Sequence, residues 1–154
     1  ANIGLNLIAI RDLIPGVAAT AIEINSSAIS KLKMIDDIKV IHGSILESNK
    51  IEMYDLAMVI GVLIHIAPKY LPLAYENIYR ASRRYILIGE YYSRQPEEVS
   101  YRGYKNKLFK RDFAGEMLDK YTDLRLVDYG FFYHKDESSK LDDITWFLME
   151  KADI

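Results

Sequence analysis

Ala18-Ala19-Thr20-Ala21-Ile22-Glu23-Ile24-Asn25 is an apolar run carrying one carboxylate near its end. A short run of this kind reads as a strand, with Glu23 at its tip. Upstream, Ala1-Asn2-Ile3-Gly4-Leu5-Asn6 supplies a glycine turn, and Glu23 follows Gly4 by 19 residues. A glycine turn that opens a helix, then an acid about 20 residues on, is the pattern of a nucleoside-binding strand pair. The turn lets a ligand approach the backbone at a helix N-terminus. The acid accepts two hydrogen bonds from a ribose. The pattern does not say which nucleoside.

Working outward, the chain alternates helices and strands. Leu5, Ile8, Ala9 and Leu13 form a helical stripe that stops at Pro15-Gly16. Ala18 to Ile24 is a strand, and Ser26 is expected to cap a short helix carrying Ala28, Ile29 and Leu32. Ile38 to Ile41 is a strand closed by His42-Gly43-Ser44. Asp55 to Ile60 is a near-continuous apolar run, as in a parallel strand covered on both faces. Leu71, Ala74, Tyr75, Ile78 and Tyr79 recur at helical spacing. Tyr85 to Glu90 is another buried strand, and Asp112 caps a helix with Phe113, Met117, Leu118 and Tyr121 inward. Leu124 to Tyr133 and Ile144 to Glu150 are two β-rich runs across a polar turn, which predicts an antiparallel hairpin. The expected fold is therefore α/β: a Rossmann-like, doubly wound, mostly parallel sheet with an antiparallel C-terminal hairpin. Ligands in such sheets bind beyond the C-terminal ends of the strands. Asn2, Gly4, Glu23, Ser44, Gly61, His65 and Glu90 fall at successive strand-to-helix connections.

Composition narrows the class. The 154 residues suit a single domain spanning 1–154, with half of them hydrophobic and about a quarter charged. The net charge of −2 argues against nucleic acid as the partner. With no cysteines there is no disulfide and no thiolate metal site. The three histidines, His42, His65 and His134, are scattered, so no metal is expected. The longest apolar run, Leu56 to Ile64, is too short to cross a bilayer, and a cytoplasmic location is the default. Twelve tyrosines lie mostly in the second half. Tyrosine has an apolar face and a polar tip, which serves core packing and also suits sugar or nucleoside surfaces.

The order of these features resembles the class I S-adenosylmethionine-dependent methyltransferases. Gly61-Val62-Leu63-Ile64-His65-Ile66, Arg84 to Tyr92, Tyr101-Arg102-Gly103, Leu108 to Glu116 and Asp143 to Leu148 resemble more closely the methyltransferases associated with pseudaminic acid biosynthesis. The resemblance implies S-adenosylmethionine as cofactor and a small anionic sugar, or its nucleotide-linked form, as acceptor. It also implies a first strand ending in Glu-x-Gly that feeds the Ala1–Gly4 turn. The sequence starts inside that turn, so the first strand is expected to be missing and the chain to be an N-terminal truncation.

The same resemblance distributes roles. Asn2 and Gly4 face the methionine part of the donor, Glu23 with Ile24 holds the ribose, and Gly43, Ser44 and Ile45 meet the adenine. Gly61 lets the donor lie against the end of its strand. On the acceptor side His65 is a candidate base. The competing reading, a histidine bonded to backbone near a helix start, is the slightly favoured one. Glu90 can orient an acceptor hydroxyl, beside Tyr91 and Tyr92. Arg102, Lys105, Lys107, Lys110 and Arg111 are five cations with no intervening acid, interleaved with Tyr101, Tyr104 and Phe109. That cluster reads either as an anion clamp, with Tyr101, Arg102 and Arg111 on the acceptor, or as a solvated loop.

Three other classes share parts of the pattern. A nicotinamide-dependent oxidoreductase uses the same acid but has the fuller Gly-x-Gly-x-x-Gly, whereas Asn6 and Leu7 follow Gly4 here. A nucleic-acid methyltransferase carries an Asn-Pro-Pro-Tyr type motif that this chain lacks. A non-catalytic sugar-binding module keeps the tyrosines without needing Glu23.

Overall fold

The computed structural model describes residues 1–47, 52–101, 103–138 and 141–152, with the side chains of residues 101, 105 and 106 left aside. Two compact units divide the chain, residues 1–50 and residues 51–154.

The first unit contains α1 (Leu5–Leu13), β1 (Ala19–Glu23), α2 (Ser26–Leu32) and β2 (Ile38–His42). β1 and β2 pair in parallel, with Ala21 opposite Val40 and Glu23 opposite His42. Asn25 rather than Ser26 caps α2, its side chain accepting the N–H groups of Ser27 and Ala28. Asn and Ser are near-equal caps, so the choice falls to the residue that leaves the strand in extended geometry. Ala28, Ile29 and Leu32 are buried as expected. The stripe on α1 is not: Leu5 is 66% and Leu13 81% exposed, while Leu7 and Ile10 are half-buried. An apolar helix with residues at both i, i+3 and the intervening positions offers two stripes, and periodicity alone does not choose between them.

The second unit is built on a four-stranded sheet of order β3-β4-β8-β7, from β3 (Tyr54–Ile60), β4 (Ser82–Glu90), β7 (Leu124–Phe132) and β8 (Ile144–Lys151). β3 and β4 are parallel. β8 runs antiparallel to both β4 and β7. The sheet is thus mixed rather than mostly parallel. The hairpin adds to one edge of the parallel pair β3–β4. Its second arm lies against β4 and carries β7 to the edge.

Helices α3 (Leu71–Ala81) and α4 (Phe113–Lys120) bury Leu71, Ala74, Tyr75 and Ile78, and Phe113, Ala114 and Met117. Together with Ile86, Ile88 and Met149, all at most 1% exposed, these form the core. Fully burying one such aliphatic side chain stabilises by about 1.5–3 kcal/mol. Tyr79 stacks on Tyr121 with ring centroids 4.0 Å apart, and its hydroxyl donates to Asp123 at 2.6 Å. Asp112 caps α4 by accepting the N–H of Gly115 at 2.8 Å. Gly130 is required by a close approach: a Cβ there would meet the Trp146 indole at 2.6 Å.

One element is absent from the sequence reading. β5 (Glu97–Tyr101) and β6 (Tyr104–Lys110) form an antiparallel hairpin of their own. Lysines at alternate positions concealed it, because they read as a solvated loop when the partner strand is unknown. Among the described residues no helix is long and apolar enough to cross a membrane.

Candidate functional site

In the first unit, Gly4 stands at the N-terminus of α1 with φ 89°. A Cβ there would also press on Leu32 and Ile35 at under 3 Å, so the turn needs glycine for both backbone and space. Asn2 adopts φ 51°, which asparagine tolerates better than most residues. Glu23 closes β1, and both of its oxygens are engaged. Oε2 accepts from the Ala1 amine at 2.9 Å and the Asn2 N–H at 2.6 Å. Oε1 accepts from the N–H groups of Ile24 at 2.9 Å and Asn25 at 2.8 Å. Burial works to raise the Glu23 pKa, but the hydrogen bonds from Asn25, the amine and Asn2 outweigh it and pull the carboxyl down to about 2. Glu23 is therefore a fully ionised acceptor at neutral pH. Gly43 donates its N–H to the Glu23 carbonyl at 3.0 Å, which ties the end of β2 to the end of β1. Ser44 Oγ accepts the Leu46 N–H at 3.2 Å, and Ile45 lies in the turn so formed.

In the second unit, Gly61 leaves β3 with φ 64° and nothing within 4 Å of where a Cβ would stand. Its N–H donates to the Gly89 carbonyl at 2.9 Å. The chain then enters a 3-10 turn, Leu63–His65. Glu90, only 3% exposed, holds this turn. It accepts the N–H groups of Val62 at 2.9 Å, Leu63 at 2.8 Å and, more weakly, Ile64 at 3.5 Å. Burial pushes the Glu90 carboxyl up to about 7, against the opposing pull of the Leu63, Val62 and Ile64 donors. His65 is exposed, and its Nδ1 lies 2.9 Å from the Lys107 carbonyl of β6. A carbonyl accepts only, so Nδ1 carries the proton in that pair.

Glu90, Tyr92 and Arg111 come together around a small pocket, with Ile88, Phe113, Ala114, Thr145 and Phe147 completing its lining. Of these, Thr145 and Phe147 belong to the Asp143–Leu148 stretch, to which the sequence assigned no site role. Arg111 is already engaged: its Nε donates to Glu116 at 2.6 Å, and the other Glu116 oxygen accepts the Tyr75 hydroxyl at 2.7 Å. Tyr91 does not line this pocket. Its hydroxyl donates to Asp142 at 2.8 Å, and Lys110 sits 5.6 Å from its ring centroid. Arg102 lies outside the described residues, as does the Tyr101 side chain, so the expected clamp is represented by Arg111 alone. Among the described residues no cluster of three or more metal-ligating side chains occurs.

The chain superposes on the 1,6-didemethyltoxoflavin-N1-methyltransferase of Burkholderia thailandensis, solved with 1,6-didemethyltoxoflavin and S-adenosylhomocysteine, at TM-score 0.75 and 14% identity over 98% of this chain. The fold is that of the S-adenosylmethionine-dependent methyltransferases. An S-adenosylmethionine-dependent methyltransferase of Methanosarcina mazei gives TM-score 0.72 at 10% identity, again over 98% of the chain. The O-methyltransferase of a trans-AT polyketide synthase multienzyme from Brevibacillus brevis, in complex with S-adenosylhomocysteine, gives 0.73 at 13% over 98%. The chain spans 68%, 89% and 64% of those three proteins respectively. No protein-family model and no curated protein sequence matches it.

Proposed function

We propose that this chain takes part in S-adenosylmethionine-dependent methyl transfer to a small hydroxyl- or amine-bearing acceptor. The observation that carries the reading is the Glu23 carboxylate, held ionised at the end of β1 with the Gly4 turn bonded to it through Asn2. These residues fit a donor nucleoside. An acceptor-only group at a strand tip matches a ribose diol, and the Gly4 turn opens α1 beside it, where the N–H groups of a helix N-terminus can face a ligand. The fit has a condition: the ribose hydroxyls compete with the Asn2 N–H for Oε2. Gly43, Ser44 and Ile45 would meet the adenine, and Asn2 and Gly4 the amino-acid end of the donor.

When bound, the donor supplies an electrophilic methyl group, so the protein's task is alignment and exclusion of water. Gly61 and the turn after it present an open backbone surface at the end of β3. Glu90 fixes that turn, and His65, held against the Lys107 carbonyl beside it, is the residue placed to take a proton from the acceptor. Glu90 accepts backbone N–H groups, so we assign it a positioning role rather than direct proton transfer.

The acceptor class suggested by resemblance is a nonulosonic acid or its nucleotide-linked form. Pairing of Arg111 with Glu116 weakens the case for an anion clamp at the pocket, and leaves Arg102 as the cation on which that reading rests. A small molecule is favoured over nucleic acid by the net charge of −2. The test is titration of the full chain with S-adenosylhomocysteine and, separately, with NADH, followed by thermal unfolding. A rise in Tm with the first alone is expected. A rise with NADH alone would replace the reading with that of a nicotinamide-dependent oxidoreductase.

A further inference from the structure

Register, not composition, sets which side chains share a face of the second unit's sheet. Directly opposed residues of an antiparallel pair point the same way. Thr145 lies opposite both Glu90 and Phe131, and Phe147 lies opposite both Ile88 and Tyr129. Glu90, Thr145, Ile88 and Phe147 line the pocket. Phe131 and Tyr129 therefore continue the pocket floor outward onto the edge strand. Ring contacts trace the same path. Tyr92 lies 6.0 Å from Phe147, Phe147 lies 6.3 Å from Tyr129 with planes 21° apart, and Phe131 lies 6.3 Å from Tyr133. These rings are unusually open for their size: Tyr129 is 65% exposed and Phe131 59%.

We infer that this aromatic shelf is a binding site for an uncharged, hydroxylated ring, which stacks on Tyr129, Phe147 and Phe131 and directs its polar edge at Thr145 and Glu90. The inference rests on the methyl-transfer reading for its role as an acceptor subsite. Three observations select this occupant. The pocket alone has room for little more than a single water, far below the ~300 Å³ at which small-molecule pockets begin, and the shelf extends it. The cation of the lining, Arg111, is already paired with Glu116, and the Glu90 carboxyl at the inner end disfavours an anion. The outer rings together offer on the order of 400 Å² when roughly half of each is exposed. That is about half of what each partner of a stable dimer contributes, so a second copy is poorly matched.

The test uses the full chain with three probes: 2-naphthol, methyl β-glucopyranoside and N-acetylneuraminic acid. Binding is read by saturation-transfer NMR and S-adenosylhomocysteine affinity by calorimetry, in wild type, in the Tyr129→Ser/Phe131→Ser double variant and in a Tyr70→Ser control. One or both uncharged rings should bind, at least fivefold more weakly in the double variant, with the control unchanged. The two neutral probes separate an aromatic from a pyranoside source. Ring binding that depends on Tyr129 and Phe131 supports the shelf whether or not S-adenosylhomocysteine binds. No ring binding in protein that does bind S-adenosylhomocysteine overturns the shelf and leaves the donor reading standing. No binding of either overturns both. Tighter binding of the anionic probe, or a wild-type dimer that the double variant makes monomeric by sedimentation, also overturns the shelf.

Discussion

Oε1 of Glu90 accepts the backbone N–H of Leu63 at 2.8 Å, so an acid at the end of β4 holds the turn that follows β3. The two residues are 27 apart in sequence, one ending β4 and the other in the turn that leaves the neighbouring parallel strand β3. The pairing gives the turn after Gly61 a fixed shape without a helix cap of its own.

The first prediction concerns pH. Glu90 has a folded pKa near 7, above the ordinary carboxylate value of 4.5. Between those values the folded state binds more protons than the unfolded state, so this group makes stability fall as pH rises from about 4.5 to 7. The contribution is at most about 3 kcal/mol. Urea unfolding of wild type and Glu90→Gln at pH 5 and pH 8 should show that decline in wild type and its loss in the variant. Equal pH slopes would show that Glu90 is not the group responsible.

The second concerns Glu23. Replacing Glu23 by Ala should weaken S-adenosylhomocysteine binding by about 1.5–3 kcal/mol, the range for hydrogen bonds to a charged group. Calorimetry on the folded variant decides it. Unchanged affinity would mean that Glu23 serves only the Ala1, Asn2, Ile24 and Asn25 donors it already satisfies.

Third, Arg111→Gln should cost about 1 kcal/mol in thermal unfolding. It removes a partly exposed partner from Glu116, which also receives the Tyr75 hydroxyl. Steady-state kinetics on a turned-over acceptor should show a raised KM with donor affinity within about twofold. A drop in donor affinity with acceptor kinetics intact would assign the segment around Arg111 to the donor side.

Fourth, Gly4→Ala should destabilise by about 1–2 kcal/mol from the left-handed backbone alone, and further through the contact of its Cβ with Leu32 and Ile35. Guanidinium unfolding measures it. A variant as stable as wild type would show that the turn relaxes freely.

Much of this protein was legible in its sequence because local rules governed it. The β1 run ending at Glu23, the apolar β3 and β4 runs and the α3 stripe of Leu71, Ala74, Tyr75 and Ile78 all follow from periodicity and burial. Asp112 as a cap follows from side-chain chemistry. Gly4 and Gly61 stood out as turn residues, and both adopt positive φ. The β5–β6 hairpin and the α1 stripe did not follow, because each depends on which neighbouring surface is present. Tyr129, Phe131 and Tyr133 recur with the strand period of two, a signal that was present in the sequence but pointed only to a strand. What they face was set by β8 lying between β4 and β7, which places Thr145 and Phe147 opposite them and next to Glu90. Likewise Arg111 looked like one cation in a run of five until α4 brought Glu116 within 2.6 Å of it. Sequence determines which residues form strands and which glycines turn. The geometry at the start of α4 decided that Arg111 is already paired, and tertiary structure alone decided which rings share a face, since that depends on strand register between segments far apart in the chain.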